Sequence, residues 1–174
     1  CSGKHAGFLT LTQHMGWGPE YVEPTHPMQR ACLEAFEEMT GETSPCFGID
    51  GCSAPNFATS MHGMARAMAS FAAAREGRNA RDTAAVRLWQ AMVAHPELVA
   101  GEKRACTELM RACKEPVALK TGAEAFFIAI IPGRRLGLAV KIEDGATRAA
   151  ECTIAALLCG WACWTPIIRQ PADS

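Results

Sequence analysis

Two lysines and two cysteines in this chain are of types and spacings that could do chemistry. Cys1 and Lys4 stand together in Cys1-Ser2-Gly3-Lys4-His5-Ala6-Gly7, and Cys52 follows in Asp50-Gly51-Cys52-Ser53-Ala54-Pro55. Two thiolates with a nearby nitrogen donor are what zinc prefers, although a lysine is an unusual third ligand and has to lose its proton to coordinate. Gly3 and Gly7 predict a loop with the backbone freedom such a site would use. The same cysteines also read as small apolar residues that reach no metal, the common lot of a free thiol. Spacing leaves both readings open. The second lysine, in Lys120-Thr121-Gly122, is by itself an ordinary turn residue.

Composition narrows the partners. A formal net charge of -1, with lysines and arginines dispersed along the chain, supplies no basic field for nucleic acid or an anionic membrane. No run reaches the ~18 apolar residues of a membrane span, and the first residues do not resemble a signal peptide. Nine cysteines, an odd number scattered through helical and loop patterns, do not form the framework of a small disulfide protein. A reducing compartment, the cytoplasm, is therefore expected.

The elements that must position these residues follow from periodicity. One domain over 1–174 is expected from length, with a mainly helical region at 1–115 and a β-hairpin plus C-terminal helix at 116–174. Ala31, Cys32, Ala35, Phe36 and Met39 mark an amphipathic helix over 28–40, stopped by Gly41. Further helices are predicted from residue 60, over 82–94 with an apolar stripe of Ala85, Leu88, Trp89, Met92 and Val93, and over 105–112. Residues 8–13 suit a helix or a short strand. Branched and aromatic runs at 126–131 and 136–142, joined by Pro132-Gly133-Arg134-Arg135, read as a β-hairpin, with Lys120-Thr121-Gly122 just before its first strand. A buried helix over 146–163 closes the pattern, so the order of elements argues for an α+β fold. Cys32, Cys113, Cys152, Cys159 and Cys163 fall on predicted apolar helix faces and read as core residues. His14, His62 and His95 read as caps or surface groups, while His5 and His26, which fall within the family motifs given below, are expected to orient their neighbours or to close the cleft.

Taken in order, Cys1-Ser2-Gly3-Lys4-His5, His26-Pro27-Met28-Gln29, Asp50-Gly51-Cys52, Ala94-His95-Pro96-Glu97-Leu98-Val99-Ala100-Gly101-Glu102, Cys106-Thr107-Glu108-Leu109-Met110-Arg111, Lys120-Thr121-Gly122-Ala123-Glu124 and Val140-Lys141-Ile142-Glu143-Asp144-Gly145 resemble the L-asparaginase II family. These are the rhizobial-type asparaginases, similar in fold to serine β-lactamases and glutaminases, with a helical layer on an antiparallel sheet. The resemblance runs to about Cys163. It implies hydrolysis of L-asparagine to L-aspartate and ammonia, a homodimer, and zinc held by Cys1, Lys4 and Cys52. Cys106 would lie near that site. It also gives Lys120 a catalytic role, as a cation presented from a strand edge to a substrate carboxylate and a catalytic hydroxyl.

The family's nucleophile pair is Ser-x-x-Lys, which this chain does not contain. The chain is therefore expected to be the C-terminal portion of such an enzyme, completed by an upstream portion of the same protein. Two other readings stand beside this one: an amidase using Cys1 as an N-terminal nucleophile, and a non-catalytic zinc-binding or degenerate domain.

Overall fold

The chain divides into two compact units, Cys1–Gly63 and Met64–Ser174, and the computed structural model describes residues 2–160. In the first unit, α1 (Ser2–Met15) and α2 (Pro27–Thr40) are followed by two short strands, β1 (Phe47–Ile49) and β2 (Pro55–Phe57). Gly16, at φ 65°, ends α1 with its N–H on the Gln13 carbonyl. The opening residues are thus helical where their glycines predicted a loop. Nothing lies within 4 Å of a Cβ built on Gly3 or Gly7, so neither glycine is there to let another group approach. Each merely weakens the helix, by about 1 kcal/mol relative to alanine.

α2 confirms the periodic signal. His26 caps its first turn by accepting the Met28 N–H at Nδ1, and Pro27 occupies the first helical position, where no N–H is needed. Gly41 closes it in the left-handed region at φ 67°. β1 and β2 pair antiparallel with Ile49 opposite Pro55, and Phe57 meets the rings of Phe36 and Phe47. This small sheet has too few residues for a period-2 signal to show.

The second unit is built on a sheet in the order β3-β4-β5, with β3 (Ala118–Thr121), β4 (Phe126–Ile131) and β5 (Leu136–Lys141), all antiparallel. The hairpin is where the sequence put it. The residues expected to precede it form a third strand, because Lys120 and Thr121 pair with Ile128 and Phe127. Helices α3 (Met61–Ala73), α4 (Ala80–Ala94), α5 (Pro96–Ala100), α6 (Ala105–Ala112) and α7 (Thr147–Gly160) accompany the sheet. Phe127, Ala129 and Ile131 alternate along β4 into a core shared with Cys106 and Met110 of α6, Leu119 of β3, and Ala150, Ile154 and Leu158 of α7. On the other face, Gly137 of β5 lies so close to α3 that an added Cβ would fall 2.1 Å from the Ala69 nitrogen.

Helices with antiparallel sheets make this an α+β fold, as expected. Some details differ. Leu88 is 58% exposed and Val86 is buried in its place, so the stripe on α4 is rotated from the predicted one. Cys152 is exposed, Cys32, Cys113 and Cys159 are half-buried, and only Cys106 among the described cysteines is fully buried. Cys163 lies outside the described residues. No helix among the described residues is long and apolar enough to cross a membrane.

Candidate metal and catalytic site

Asp50 is the centre of the first candidate site. Its backbone N–H reaches the Ala54 carbonyl at 2.9 Å, and its own carbonyl accepts from Ser53 at 2.8 Å, which closes the turn between β1 and β2. Ser53 adopts φ 70° within that turn. The Asp50 carboxylate accepts the Gly51 N–H at 2.8 Å through Oδ1, which leaves Oδ2 for groups from elsewhere. Lys4 Nζ of α1 donates to Oδ2 at 3.0 Å, and Cys52 Sγ lies 3.5 Å from the same oxygen. One carboxylate oxygen therefore gathers an amine and a thiol from residues 48 positions apart, 52 − 4.

Charge follows this geometry. Burial alone would lower Lys4, but its hydrogen bonds to Asp50 and Cys52 outweigh it and raise the ammonium above its ordinary range. Lys4 in turn holds the Asp50 carboxyl below the usual carboxylate range, helped by the Gly51 N–H. The His5 imidazole has the largest effect on Cys52, followed by the backbone of Ala54, and together with Lys4 they bring the thiol below its ordinary range. Burial pushes the Cys32 thiol up, opposed by the Lys4 charge, which places this α2 residue close to the same site.

His5 and Tyr21 hold α1 in place. His5 Nδ1 is 3.0 Å from the Tyr21 hydroxyl, and Phe8 stacks edge-on against His5. Tyr21 is anchored through its own carbonyl, which accepts from the buried Gln29 side chain at 2.6 Å. His5 Nε2 is buried with no partner at full hydrogen-bond distance, so the imidazole acts on Cys52 from beyond that distance. The orienting role expected of His5 and His26 is what the structure shows: His26 caps α2 and also reaches the Gly18 carbonyl at 3.1 Å.

The donors are of the right kind for zinc, since an amine nitrogen and a thiol whose pKa lies below its ordinary value stand around a carboxylate. Lys4 has to give up its proton first, because here it is an ion-paired ammonium. Among the described residues, no three His, Cys, Asp or Glu side chains are gathered as a metal site. Any set is completed by Lys4 and by Cys1, and Cys1 lies outside the described residues.

Lys120 belongs to the second unit. It is exposed on β3, its Nζ directed to the Thr121 carbonyl of its own strand. The Thr121 N–H points away from β4 and is taken by the buried Cys106 thiol at 3.2 Å, so α6 secures the open edge of the strand. Glu124 and Ala125 follow with φ 50° and 58°. Two successive left-handed residues are the pattern of a type I′ hairpin turn, which ordinarily takes Asn-Gly. Lys141 holds this turn by donating to the Glu124 carbonyl at 2.6 Å and to the Ile142 carbonyl at 2.9 Å. Strain of this kind persists where surrounding contacts over-determine it.

Of the predicted residues, the structure brings Lys4 and Cys52 together and sets Lys120 on a strand edge. Sequence reasoning had not singled out Asp50, whose signal was its place before Gly51 in a turn, where an aspartate bonds its own backbone. It gave Cys106 no bond to the Lys120 strand. The family model described as L-asparaginase II matches residues 1–172 of this chain. No curated protein matches it.

Proposed function

The chain belongs to the L-asparaginase II family, and from that premise we propose that it serves an amidohydrolase converting L-asparagine and water to L-aspartate and ammonia. The observation that carries this reading is the meeting of Lys4 and Cys52 at one Asp50 oxygen. It gives a purpose to an amine and a thiol that would otherwise form a small surface ion pair worth little to stability.

In the proposed reaction a serine activated by a lysine, both in an upstream portion of the same protein, attacks the side-chain amide carbon. Ammonia leaves, and water then hydrolyses the ester to aspartate. The fold implied is that of the serine β-lactamases. Lys120 acts as a fixed positive charge for the substrate carboxylate, presented from the β3 edge that Cys106 secures. Cys1, Lys4 and Cys52 would hold zinc, the cysteines as thiolates and Lys4 as a neutral amine whose remaining N–H groups Asp50 would accept. Bound there, zinc supplies Lewis-acid binding of the substrate. His5 and Tyr21 fix the helix that carries Lys4.

Elemental analysis of protein purified without added metal tests the metal part of this reading. Zinc is expected at a substantial fraction of one per chain in the wild type, and Cys52→Ser should lose most of it. Equal metal content in the two proteins overturns the ligand set.

A further inference from the structure

A second concentration of functional groups lies in the second unit, away from the strand edge of Lys120 in sequence and built from different residues. The end of α3, the turn before α4 and the turn after β4 border an open surface cavity of about 630 Å³ lined by Ala73, Arg75, Glu76, Gly77, Arg78 and Arg135, all of them exposed. Its volume is in the range of small-molecule sites, about 300–1,000 Å³. Three arginines and one glutamate are among its lining residues. Like charges gathered this way repel unless an anion lies between them.

The three arginines are not equally free. Arg78 Nη1 is 3.4 Å from Asp82 Oδ2, so part of its charge is already answered. Among the described residues, Arg75 and Arg135 have no such carboxylate partner. Arg135 carries a further cost: it sits at φ 49°, in the left-handed region, at the end of the Pro132–Arg134 turn, where glycine or asparagine would fit with less strain. An arginine there gains nothing for the backbone. Its side chain is what distinguishes it, and Arg135 is one of the residues that line the cavity.

We propose that the cavity lined by Arg75, Arg78 and Arg135 binds a small phosphate-type oxyanion, as free phosphate or as the phosphate group of a small metabolite. The planar guanidinium fork matches phosphate oxygens with paired hydrogen bonds. The lining residues carry a net charge of +2, three arginines less Glu76, and Asp82 reduces this to +1. A tetrahedral anion carrying between one and two negative charges neutralises such a surface and can bridge arginines that come from two separate turns.

Titration calorimetry on the full chain at fixed ionic strength tests this, with inorganic phosphate, sulfate, succinate and chloride as probes. Phosphate and sulfate should bind saturably, succinate more weakly, and chloride not measurably. Arg75→Ala and Arg135→Gly should each weaken phosphate by about tenfold or more, the loss of a charge-assisted contact. Arg135→Gly also relieves the left-handed residue, so it should fold at least as well as the wild type and keeps the test decisive if Arg75→Ala is unstable. Arg87→Ala, which removes a charge on the exposed side of α4, should leave phosphate binding unchanged. Absence of saturable phosphate binding overturns the proposal, as does an equal loss in Arg87→Ala. Succinate binding tighter than phosphate overturns the phosphate class.

Discussion

The two units of this chain are stabilised in different ways. In the second unit apolar side chains do the work: Phe127, Leu119, Ile131, Ile154 and Leu158 are each at most 1% exposed and share one cluster. Among the described residues of the first unit the buried apolar side chains are Met28, Ala54 and Pro55, beside the polar Thr12, Gln29 and Thr40, while Leu9, Phe47 and Ile49 face solvent. Hydrogen bonds replace packing there. Glu42 accepts from the Thr59 hydroxyl at 2.7 Å, the Ser60 N–H at 3.0 Å and the Ser60 hydroxyl at 2.5 Å, joining the end of α2 to the start of α3. The Ser44 hydroxyl reaches the carbonyls of Cys46 and Ala58, and Glu37 accepts the Ser44 N–H. A unit tied this way keeps its polar groups near the surface, where Lys4, Asp50 and Cys52 are partly open to solvent. The packed unit instead supports a strained turn beside Lys120.

Core truncation should expose the contrast most strongly. Phe127→Ala should cost about 3–5 kcal/mol, by lost transfer energy and the cavity left behind. Met28→Ala in the first unit should cost less, about 2 kcal/mol, because fewer apolar neighbours lose contact. Denaturant unfolding of both variants checks the order, and equal losses would erase the distinction.

Two glycines sharpen it. At Gly137 an added Cβ would fall 2.1 Å from the Ala69 nitrogen and 2.4 Å from the Ala65 carbonyl oxygen, both rigid backbone. Gly137→Ala should therefore destabilise by about 3 kcal/mol. At Gly63 the obstacles are the Thr59 hydroxyl at 2.4 Å and the Glu42 carboxylate at 2.6 Å, both side chains that can swing away. Gly63→Ala should cost about 1 kcal/mol, the loss of the Glu42 hydrogen bonds. Thermal melts of the pair separate these outcomes, and a larger shift at Gly63 would contradict the account.

Acid should weaken the hydrogen-bonded first unit through Glu42. The hydroxyls of Ser60 and Thr59, with the Ser60 N–H, hold Glu42 down at about 2, below its ordinary 4.5. A depressed carboxyl contributes stability that is present above its unfolded value and is lost as pH falls through the folded one. Melting temperature should therefore decline between about pH 4.5 and pH 2. Glu42→Gln should flatten that decline, and an unchanged acid profile in the variant would remove Glu42 from the explanation.

The same contrast explains what could be read from the sequence. The β4–β5 hairpin, α2 and α4 were legible because their apolar residues recur at the period of the element that buries them. β3 was not, since Lys120-Thr121-Gly122 looks like a turn and becomes a strand only by pairing with β4 and by the Cys106 thiol at its outer edge. α1 was obscured by Gly3 and Gly7, and β1 and β2 by their brevity. Lys4 and Cys52 were legible as ligand types. Their meeting at Asp50 was not, because it depends on α1 and the β1–β2 turn converging through side-chain hydrogen bonds that leave no periodic trace.

The most direct test of the functional account is ammonia release from L-asparagine by the protein together with the upstream portion proposed above, compared with the same protein bearing Lys120→Ala. Turnover should fall by about a hundredfold, the scale for removing one group that stabilises charge in the transition state. Circular dichroism and zinc content should be unchanged, because Lys120 is exposed and belongs to neither the core nor the proposed ligand set. Near-normal ammonia release by the variant would contradict the account and leave Lys120 an ordinary lysine on a strand edge.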